Sequence, residues 1–501
     1  MGSAAFVFFT EVRFNVTAKD FPVHAMILSN RIPLTAHDLH AIFGSQAIVP
    51  SYFAAVGVST DTRTMMPGTL FVALRGERFN AHDHIYDAMV RGAAGIVIEE
   101  RWLPEWENTL GKEFPSFARV VVPDTLQALA ELARYHRRRF SIPVIAVGGA
   151  NGKTTTKDMI AHILGESFTI LKTQANNNNR VGTPLTLLQL TARTQAAVIE
   201  IGTNEPGEIE VLSAMVEPTH ALITNIGEEH LEKLGDIDGV EKEETALFRW
   251  AMNHGATMIV NADDDRLRSY ASHQGAVSFA TQRADASESS NDAYSNAHVK
   301  AELSFSEGLV PHIVLRTGNE QCEAHLSATG YAVGLNAVAA VATCIATDMP
   351  AKQALERCAG FVPDASHGYA RMVVERCGPW VVLNDCYNAN PASMRMALQT
   401  LRGYSPAARR VAVIGDMREL GAAEERAHAE IINDAGAGVD MVIAVGKAMT
   451  TACRAVGSSA IVYANTDECV ANIRTHIQEG DVVLVKASRG MKFEALVAAL
   501  R

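Results

Sequence analysis

The stretch that decides the fold runs Pro143-Val144-Ile145-Ala146-Val147-Gly148-Gly149-Ala150-Asn151-Gly152-Lys153-Thr154-Thr155-Thr156. A short apolar run is followed by a glycine-rich turn and then by a helical segment from Lys157. A strand, a glycine turn, Lys-Thr and a helix in this order form the arrangement in which backbone N–H groups and a helix N-terminus bind phosphate. In such an arrangement the Lys153 ammonium would bind β- and γ-phosphate oxygens and the Thr154 hydroxyl would bind Mg²⁺. The alternative is a glycine turn without a ligand.

The segments around this loop alternate between strand-like and helix-like patterns, which indicates an α/β protein. About residues 138–363 form a central block for which we predict a P-loop ATPase-like parallel sheet, with a polar loop at 282–296 and a buried Ala/Val-rich helix at 336–347. Its predicted strands are 143–147, 196–201, 221–225 and 256–261.

The C-terminal block, about residues 364–501, repeats this rhythm and predicts a Rossmann-like sheet. The sequence Gly415-Asp416-Met417 is not a G-x-G-x-x-G motif, so it predicts no dinucleotide site. The predicted strands of this block are 380–384, 410–415, 441–446, 459–463 and 481–486.

The N-terminal block, about residues 26–137, is predicted to be a smaller mixed α/β domain. Its Pro67-Gly68 pair reads as a turn into a strand, and a helix predicted at 126–140 leads out of the block. We interpret Arg137-Arg138-Arg139 as a solvated helix end that complements the helix dipole. Residues 1–25 are predicted to be an extension before this domain.

Composition restricts the function further. The 501 residues contain 44 Lys and Arg against 56 Asp and Glu, a net charge of −12, and an acidic chain is a poor general nucleic-acid binder. No apolar run approaches the roughly 20 residues of a membrane span. Seven cysteines without C-x-x-C spacing favour neither a disulfide framework nor a zinc site, so we expect a reducing, cytoplasmic location.

The shortened loop Gly149-x-Asn151-Gly152-Lys153-Thr154-Thr155 resembles that of the Mur ligase family of ATP-dependent amide-bond-forming enzymes. The resemblance continues through nearly everything after residue 26. The motifs that carry it are Asp61-Thr62-Arg63, Asn176-x-Asn178-Asn179, Glu200-Ile201-Gly202-Thr203-Asn204, Thr224-Asn225-Ile226-Gly227-x-x-His230, Asp385-x-Tyr387-Asn388-Ala389-Asn390-Pro391 and Lys486-x-Ser488-Arg489-Gly490.

Within the family, these motifs are most similar to those of the member that joins D-alanyl-D-alanine to UDP-N-acetylmuramoyl-tripeptide. The resemblance implies ATP and Mg²⁺ as cofactors and an acyl-phosphate intermediate. It implies small-molecule substrates and no nucleic acid or membrane span, and we expect a monomer. The implied ATP-binding residues are Gly149, Ala150, Asn151, Gly152, Lys153, Thr154, Thr155, Asn336, Arg371 and Asp385.

The metal site implied by the resemblance contains Thr154, Glu200, His230 and Glu244. Glu200 ends a predicted strand, at the edge where parallel sheets bind ligands, and oxygen donors suit Mg²⁺. Lys153, His230, Glu244 and Arg371 are the expected catalytic residues.

Glu244 marks a departure from the family. Most Mur ligases carry a CO₂-carbamylated lysine at this position, four residues before an aromatic residue, which is Phe248 here. Lys242 is nearby, but two positions along a helix rotate a side chain by about 200°, so it should face elsewhere. Glu244 is therefore expected to supply the carboxylate directly, and the alternative is a solvated helix glutamate.

The remaining roles also rest on the resemblance. Asn336 is expected at the adenine, or alternatively as a helix N-cap, because the family's preceding His and Asn are missing. Arg371 would contact phosphates and Asp385 the ribose, unless both are surface ion-pair partners. The UDP end of the substrate is assigned to Thr62, Arg63, Asn178 and Asn179, and the dipeptide side to Asn388, Asn390, Ser488 and Arg489.

Three alternative functions stay open at this point. Another Mur ligase would add an amino acid to a UDP-muramoyl peptide or to folate. A P-loop NTPase switch would need an apolar strand ending in Asp, whereas this chain has Ile199-Glu200 and a third α/β block. A non-catalytic scaffold would show a damaged loop, yet Lys153 and Thr154 are intact.

Overall fold

The computed structural model describes residues 30–76, 79–106, 117–284, 292–363 and 370–501. The predicted N-terminal extension lies outside these residues. The chain divides into two compact units, Met1–Leu129 and Ala130–Arg501. The predicted α/β class is confirmed, since parallel strands alternate with helices in three larger sheets. The domain boundaries at 137 and 363 stay predictions.

The first unit holds a mixed five-stranded sheet in the order β2-β7-β6-β5-β4, in which only the β2–β7 pair is antiparallel, and a separate β1–β3 pair. Phe71, Ile96 and Ile98 lie in its core. The elements are β1 Leu34–Thr35, α1 Ala36–Phe43, β2 Ala47–Ile48, β3 Ala54–Ala55, β4 Val58–Ser59, β5 Leu70–Val72, α2 Ile85–Val90, β6 Gly95–Glu99, β7 Ala118–Val122 and α3 Thr125–Arg137, which continues into the second unit, with 3₁₀ turns at Gly44–Gln46, Ala81–His84 and Glu100–Trp102.

The second unit begins with a nine-stranded sheet in the order β16-β15-β14-β13-β12-β11-β8-β10-β9. Strands β8 to β14 run parallel, and β15 and β16 add an antiparallel edge. Its strands are β8 Val144–Gly148, β9 Ile170–Lys172, β10 Ala196–Glu200, β11 His220–Ile223, β12 Thr257–Asn261, β13 Val277–Arg283, β14 Val299–Phe305, β15 Pro311–Thr317 and β16 Glu320–His325. Its helices are α4 Lys153–Gly165, α5 Gly182–Leu187, α6 Glu208–Val216, α7 Leu231–Leu234, α8 Ile237–Glu244, α9 Ala246–His254, α10 Asp292–Asn296, α11 Tyr331–Ala346 and α12 Ala351–Ala359, with 3₁₀ turns at Arg268–Ser272 and Glu307–Leu309.

Two predictions for this sheet need correction. The segment 282–296 is not a continuous loop, because its first two residues end β13 and its last five form α10. Residues 285–291 of this prediction lie outside the described residues. The helix predicted at 336–347 begins at Tyr331, five residues earlier, since Gly334 lies inside the helix rather than before it.

The C-terminal sheet has six strands in the order β17-β18-β22-β19-β20-β21, and only the β17–β18 pair is antiparallel. The five predicted strands are all present. The elements are β17 Val373–Cys377, β18 Trp380–Asn384, α13 Pro391–Gly403, β19 Arg409–Gly415, α14 Glu424–Gly436, β20 Met441–Val445, α15 Lys447–Val456, β21 Ile461–Tyr463, α16 Thr466–Asn472, β22 Asp481–Lys486 and α17 Glu494–Leu500, with 3₁₀ turns at Gly421–Ala423, Ile473–Thr475 and Arg489–Met491.

Both faces of the C-terminal sheet are covered by helices. Helices α13, α14 and α15 pack on one face, against side chains such as Ile414 and Leu484. Helices α16 and α17 pack on the other face, against Val413 and Val485. None of the described helices is both long and apolar enough to cross a bilayer.

The arginine run at the end of α3 is not simply a solvated helix end. Arg137 is only 6% exposed, and its guanidinium donates to the carbonyls of Phe140 at 2.7 Å, Val216 at 3.1 Å and Glu217 at 3.0 Å. Val216 and Glu217 end α6, so the arginine satisfies carbonyls that the helix leaves unpaired. Arg138 instead pairs with the Glu217 carboxylate at 2.6 Å.

Replacing Arg137 by alanine should therefore lower the free energy of unfolding by about 2–4 kcal/mol, because three buried carbonyls lose their donor. The exposed Arg139 is the matched control, and Arg139→Ala should change stability by less than about 0.5 kcal/mol. Urea unfolding followed by circular dichroism measures both. Equal effects of the two substitutions would contradict the role given to Arg137.

Candidate active site

A cavity of about 900 Å³ lies within the second unit, at the carboxyl ends of the strands of both its sheets. One wall is formed by the phosphate loop, residues 149–154, and by residues that follow β10 and β11. The other wall is formed by the loops after β18, β19 and β22. Ligands of open α/β sheets bind at this edge, so the position agrees with the site expected from sequence.

The phosphate loop is held tightly against β11. Gly149 has φ +109°, and a Cβ there would lie 2.4 Å from Thr224 Oγ1, so only glycine fits. The Asn151 N–H donates to Asn225 Oδ1 at 3.0 Å, and Asn225 Nδ2 donates to the Asn151 carbonyl at 2.9 Å. Gly152, with φ +83°, then starts α4.

Lys153 points back over this loop. Its ammonium donates to the carbonyls of Gly149 and Ala150 and lies 3.5 Å from Glu229 Oε2. Burial opposes its charge, but the carboxylates of Glu229, Glu244 and Glu200 outweigh burial, so the pKa of Lys153 is raised. The lysine is therefore held as a cation at the mouth of the phosphate loop.

The Thr154 hydroxyl donates to Glu200 Oε2 at 2.7 Å, and Glu200 is only 2% exposed at the end of β10. The other carboxylate oxygen, Oε1, accepts from Asn178 Nδ2 at 2.8 Å. The sequence assigned Asn178 to the UDP end of the substrate, but the structure places its amide beside Glu200 in this cavity. Asn179 accepts the Gly182 N–H at 2.8 Å with its side chain and stabilises the start of α5.

Glu244 is fully buried behind the phosphate loop. Its Oε2 accepts the Gly149 N–H at 2.7 Å, whereas its Oε1 has no hydrogen-bond partner among the described residues. Burial raises the pKa of Glu244 to about 7. The reading of Glu244 as a solvated helix glutamate is therefore wrong. Lys242, two residues earlier, is exposed and faces away.

Glu229 is the second buried carboxylate at this place. Its Oε1 also lacks a partner within the described part of the chain, and burial raises its pKa. Glu229 was not predicted as a site residue from the sequence, although it directly precedes His230. No local pattern distinguishes such a glutamate from a solvated one; only the fold brings it to Lys153.

His230 connects the two walls of the cavity. Its backbone has φ +50°, and its Nδ1 lies 2.6 Å from Glu419 Oε2 in the loop after β19. Burial disfavours the imidazolium, but the hydrogen bond to Glu419 and the negative charges of Glu229 and Glu419 together outweigh burial, so the pKa of His230 is raised. The Glu419 carbonyl also accepts the Glu232 N–H at 3.2 Å.

Asn336 lies against the phosphate loop. A Cβ on Gly152 would come within 2.2 Å of Asn336 Oδ1, so the amide packs directly on the loop backbone. The residue sits inside α11, which begins at Tyr331, and the alternative of a helix N-cap is therefore wrong. Its contact with adenine stays a prediction.

The opposite wall presents an arginine and a buried ion pair. The Arg371 guanidinium stacks 4.3 Å from the centre of the Tyr387 ring. Asp385 Oδ2 accepts from the buried Lys486 ammonium at 2.6 Å, and Lys486 also donates to the Asn388 carbonyl at 2.9 Å. Lys486, to which no role was assigned from the sequence, therefore fixes the Asp385 carboxylate.

Two of the residues assigned to the dipeptide are engaged with protein. Asn390 caps α13 and donates through Nδ2 to Asn151 Oδ1 at 2.9 Å, which joins the C-terminal wall to the phosphate loop. The Ser488 hydroxyl, only 3% exposed as a residue, donates to the Ala389 carbonyl and accepts the Arg418 N–H at 2.9 Å. Asn388 and Arg489 also line the cavity.

Thr62 and Arg63 belong to the first unit. Arg63 is exposed and pairs with Asp61, with 2.6 Å between Nη2 and Oδ2. The Asp61 carboxylate also accepts the Arg63 N–H at 2.9 Å, which fixes the turn. The guanidinium is thus presented to solvent on an ordered turn.

The chain resembles one family of known proteins in both sequence and fold. Two family models match: the Mur ligase middle domain over residues 147–344 and the Mur ligase glutamate ligase domain over residues 370–489. The UDP-N-acetylmuramoyl-tripeptide–D-alanyl-D-alanine ligase of Bacillus subtilis is 30% identical, with 90% of this chain and 94% of that protein covered. The Escherichia coli ligase of the same name is 33% identical, covering 89% and 93%. A crystal structure of MurF from Acinetobacter baumannii matches with a TM-score of 0.81 at 29% identity, covering 94% and 99%.

Proposed function

The chain belongs to the Mur ligase family, and we propose that it joins D-alanyl-D-alanine to UDP-N-acetylmuramoyl-tripeptide with cleavage of ATP to ADP and phosphate. The observation that carries the proposal is the cavity itself, in which an intact phosphate loop faces the arginine, lysine and aspartate of a second α/β sheet. The expected monomeric state and cytoplasmic location stay predictions.

The reaction has two steps. A carboxylate oxygen of the tripeptide attacks the γ-phosphorus of ATP, the bond to the β-phosphate bridging oxygen breaks, and an acyl phosphate and ADP form. The dipeptide amine then attacks the acyl carbon, phosphate leaves, and the amine releases a proton. Both steps gather negative charge, so catalysis depends on positioned cations.

Lys153 and Arg371 supply positive charge from opposite walls of the cavity, and this offsets the negative charge that accumulates in both steps. The backbone N–H groups of the phosphate loop and the N-terminus of α4 hold the phosphates. The contacts Asn390–Asn151 and His230–Glu419 join the C-terminal wall to the wall that carries the phosphate loop. Closing of the two walls over bound substrates would exclude water from the acyl phosphate. Water exclusion matters because hydrolysis would waste the activated substrate.

The same residues fit Mg²⁺. The Thr154 hydroxyl and the Glu200 carboxylate are hard oxygen donors, and the Oε1 atoms of Glu229 and Glu244 are buried without a partner in the described residues. No three His, Cys, Asp or Glu side chains of the described ranges already converge as a complete metal site. Mg²⁺ would therefore be held partly by phosphate oxygens and water, and when bound it would neutralise charge on the transferring phosphoryl group.

The proposal is tested by measuring phosphate release from ATP with the purified chain. Release should require UDP-N-acetylmuramoyl-tripeptide and D-alanyl-D-alanine together, and mass spectrometry should detect the ligated pentapeptide. Phosphate release that ignores the dipeptide, or that follows a single amino acid instead, would favour the alternative ligase or the NTPase.

Substitution of Lys153 by alanine should lower turnover by on the order of 10³-fold while the fold is kept, because the ammonium stabilises charge in the transition state. Lys352, an exposed residue paired with Glu356, provides the control, and Lys352→Ala should be near normal. Steady-state kinetics measure the turnover of both variants, and circular dichroism shows whether they are folded. Near-normal activity of a folded Lys153→Ala protein would remove the phosphate-loop assignment.

Glu244 should make activity independent of CO₂, since a glutamate has carboxyl oxygens without carbamylation. Removing bicarbonate should leave turnover unchanged, and Glu244→Gln should lower it roughly 10- to 100-fold, as loss of a metal-supporting group does. Lys242→Ala, the exposed control on the same helix, should be mild. Loss of activity on bicarbonate removal, with recovery when it is added back, would show that a carbamate forms elsewhere.

Arg63 should contribute to binding of the UDP substrate and not to binding of ATP. Arg63→Ala is expected to raise the KM for UDP-N-acetylmuramoyl-tripeptide roughly tenfold, through the loss of a charged hydrogen bond, with the KM for ATP unchanged. Arg91→Ala, an exposed arginine of the same unit, is the control. An effect confined to ATP would contradict the assignment.

A further inference from the structure

The C-terminal sheet has a crevice at the carboxyl ends of β19 and β22. These strands are parallel neighbours, but the helices that follow them leave to opposite faces: α14 follows β19 on one face and α17 follows β22 on the other. In open α/β sheets, adjacent strands with this divergence leave a gap between their loops, and ligands bind there. The two loops, 416–421 and 487–491, both contribute to the cavity.

Arg418 lies across this crevice. Its N–H donates to Ser488 Oγ at 2.9 Å, so the backbone of one loop is tied to the other. Its guanidinium packs against Gly490, where an added Cβ would come within 2.2 Å of Nη1 and 2.6 Å of Cζ. The absence of a side chain at position 490 leaves room for the guanidinium in this place.

The guanidinium of Arg418 is exposed at the edge of the cavity and is not held by a carboxylate. No hydrogen bond or ion pair to it is found among the described residues, although Arg489 beside it pairs with Glu494 at 3.2 Å. The neighbouring Glu419 carboxylate is close enough for Arg418 to help lower its pKa, but that carboxylate is hydrogen-bonded to His230. A planar guanidinium that lines a ligand cavity with its N–H groups unpaired is suited to bidentate binding of a carboxylate.

We propose that Arg418 binds the free carboxylate of the incoming dipeptide and thereby selects a substrate with an unblocked C-terminus. This inference rests on the proposed function. The dipeptide has one nucleophilic amine and one carboxylate, so anchoring the carboxylate in the C-terminal crevice leaves the amine to face the acyl phosphate. The ATP phosphates have their own site on the loop around Lys153, in the other wall of the cavity.

The test compares D-alanyl-D-alanine with its C-terminal amide as acceptor. The wild-type enzyme should prefer the carboxylate by roughly 10- to 100-fold in kcat/KM, the range expected for a charge-assisted hydrogen-bonded pair. In Arg418→Gln this preference should vanish, because the KM for the dipeptide rises while the KM values for ATP and the UDP substrate do not. Arg418→Lys should keep part of the preference.

Arg395→Gln is the matched control, since Arg395 is half exposed on α13 and pairs with Glu430 at 2.7 Å outside the cavity. It should keep the full wild-type preference. A folded Arg418→Gln protein that still prefers the carboxylate would overturn the inference. So would a rise in KM for the UDP substrate alone, which would place the bound carboxylate on the muramoyl peptide. A wild-type enzyme that uses neither acceptor would instead overturn the proposed function.

Discussion

A buried cluster of charged side chains is the constraint on which the active cavity depends. Glu200, Glu229 and Glu244 act together on Lys153 at the carboxyl edge of the central sheet, and the buried Lys157 ammonium lies 3.7 Å from Glu200 Oε2. Buried charges are tolerated only when they are paired or can bind cations. Burial raises the pKa of Glu229, and it raises the pKa of Glu244 to about 7, because these carboxyls are costly to ionise away from water. A magnesium–nucleotide complex would bring further positive charge that favours their ionised forms, and the C-terminal wall brings Arg371.

This constraint also explains why the cavity needs two sheets. The phosphate loop can hold a nucleotide, but it offers no group for a second substrate. The loops after β18, β19 and β22 supply these groups, and they are fixed to the first wall through Asn390 on Asn151 and Glu419 on His230. Polar contacts of this kind are compatible with opening for substrate entry, because each costs little to break in water.

The sequence predicts the framework well for a physical reason. Strands buried on both faces, such as Val144–Gly148 and Asp481–Lys486, read as continuous apolar runs between turns. The strands Val299–Phe305 and Pro311–Thr317, which pair with a neighbour on each side, were not predicted, although their alternating burial leaves a period-two signal. The burial and the hydrogen bonds of Arg137 could not be predicted from the neighbouring sequence, because two of the carbonyls that it binds are about 80 residues away. The same holds for Glu229 and Arg418, whose surroundings exist only after folding.

Carboxylate activation by phosphorylation in this cavity can be tested most directly with an oxygen isotope. The terminal carboxylate of the UDP-muramoyl-tripeptide is labelled with ¹⁸O, and the label is followed by ³¹P NMR. We expect each amide bond formed to transfer a single ¹⁸O atom to inorganic phosphate, because the attacking carboxylate oxygen leaves with the phosphoryl group. Unlabelled phosphate, or label found in AMP, would contradict it.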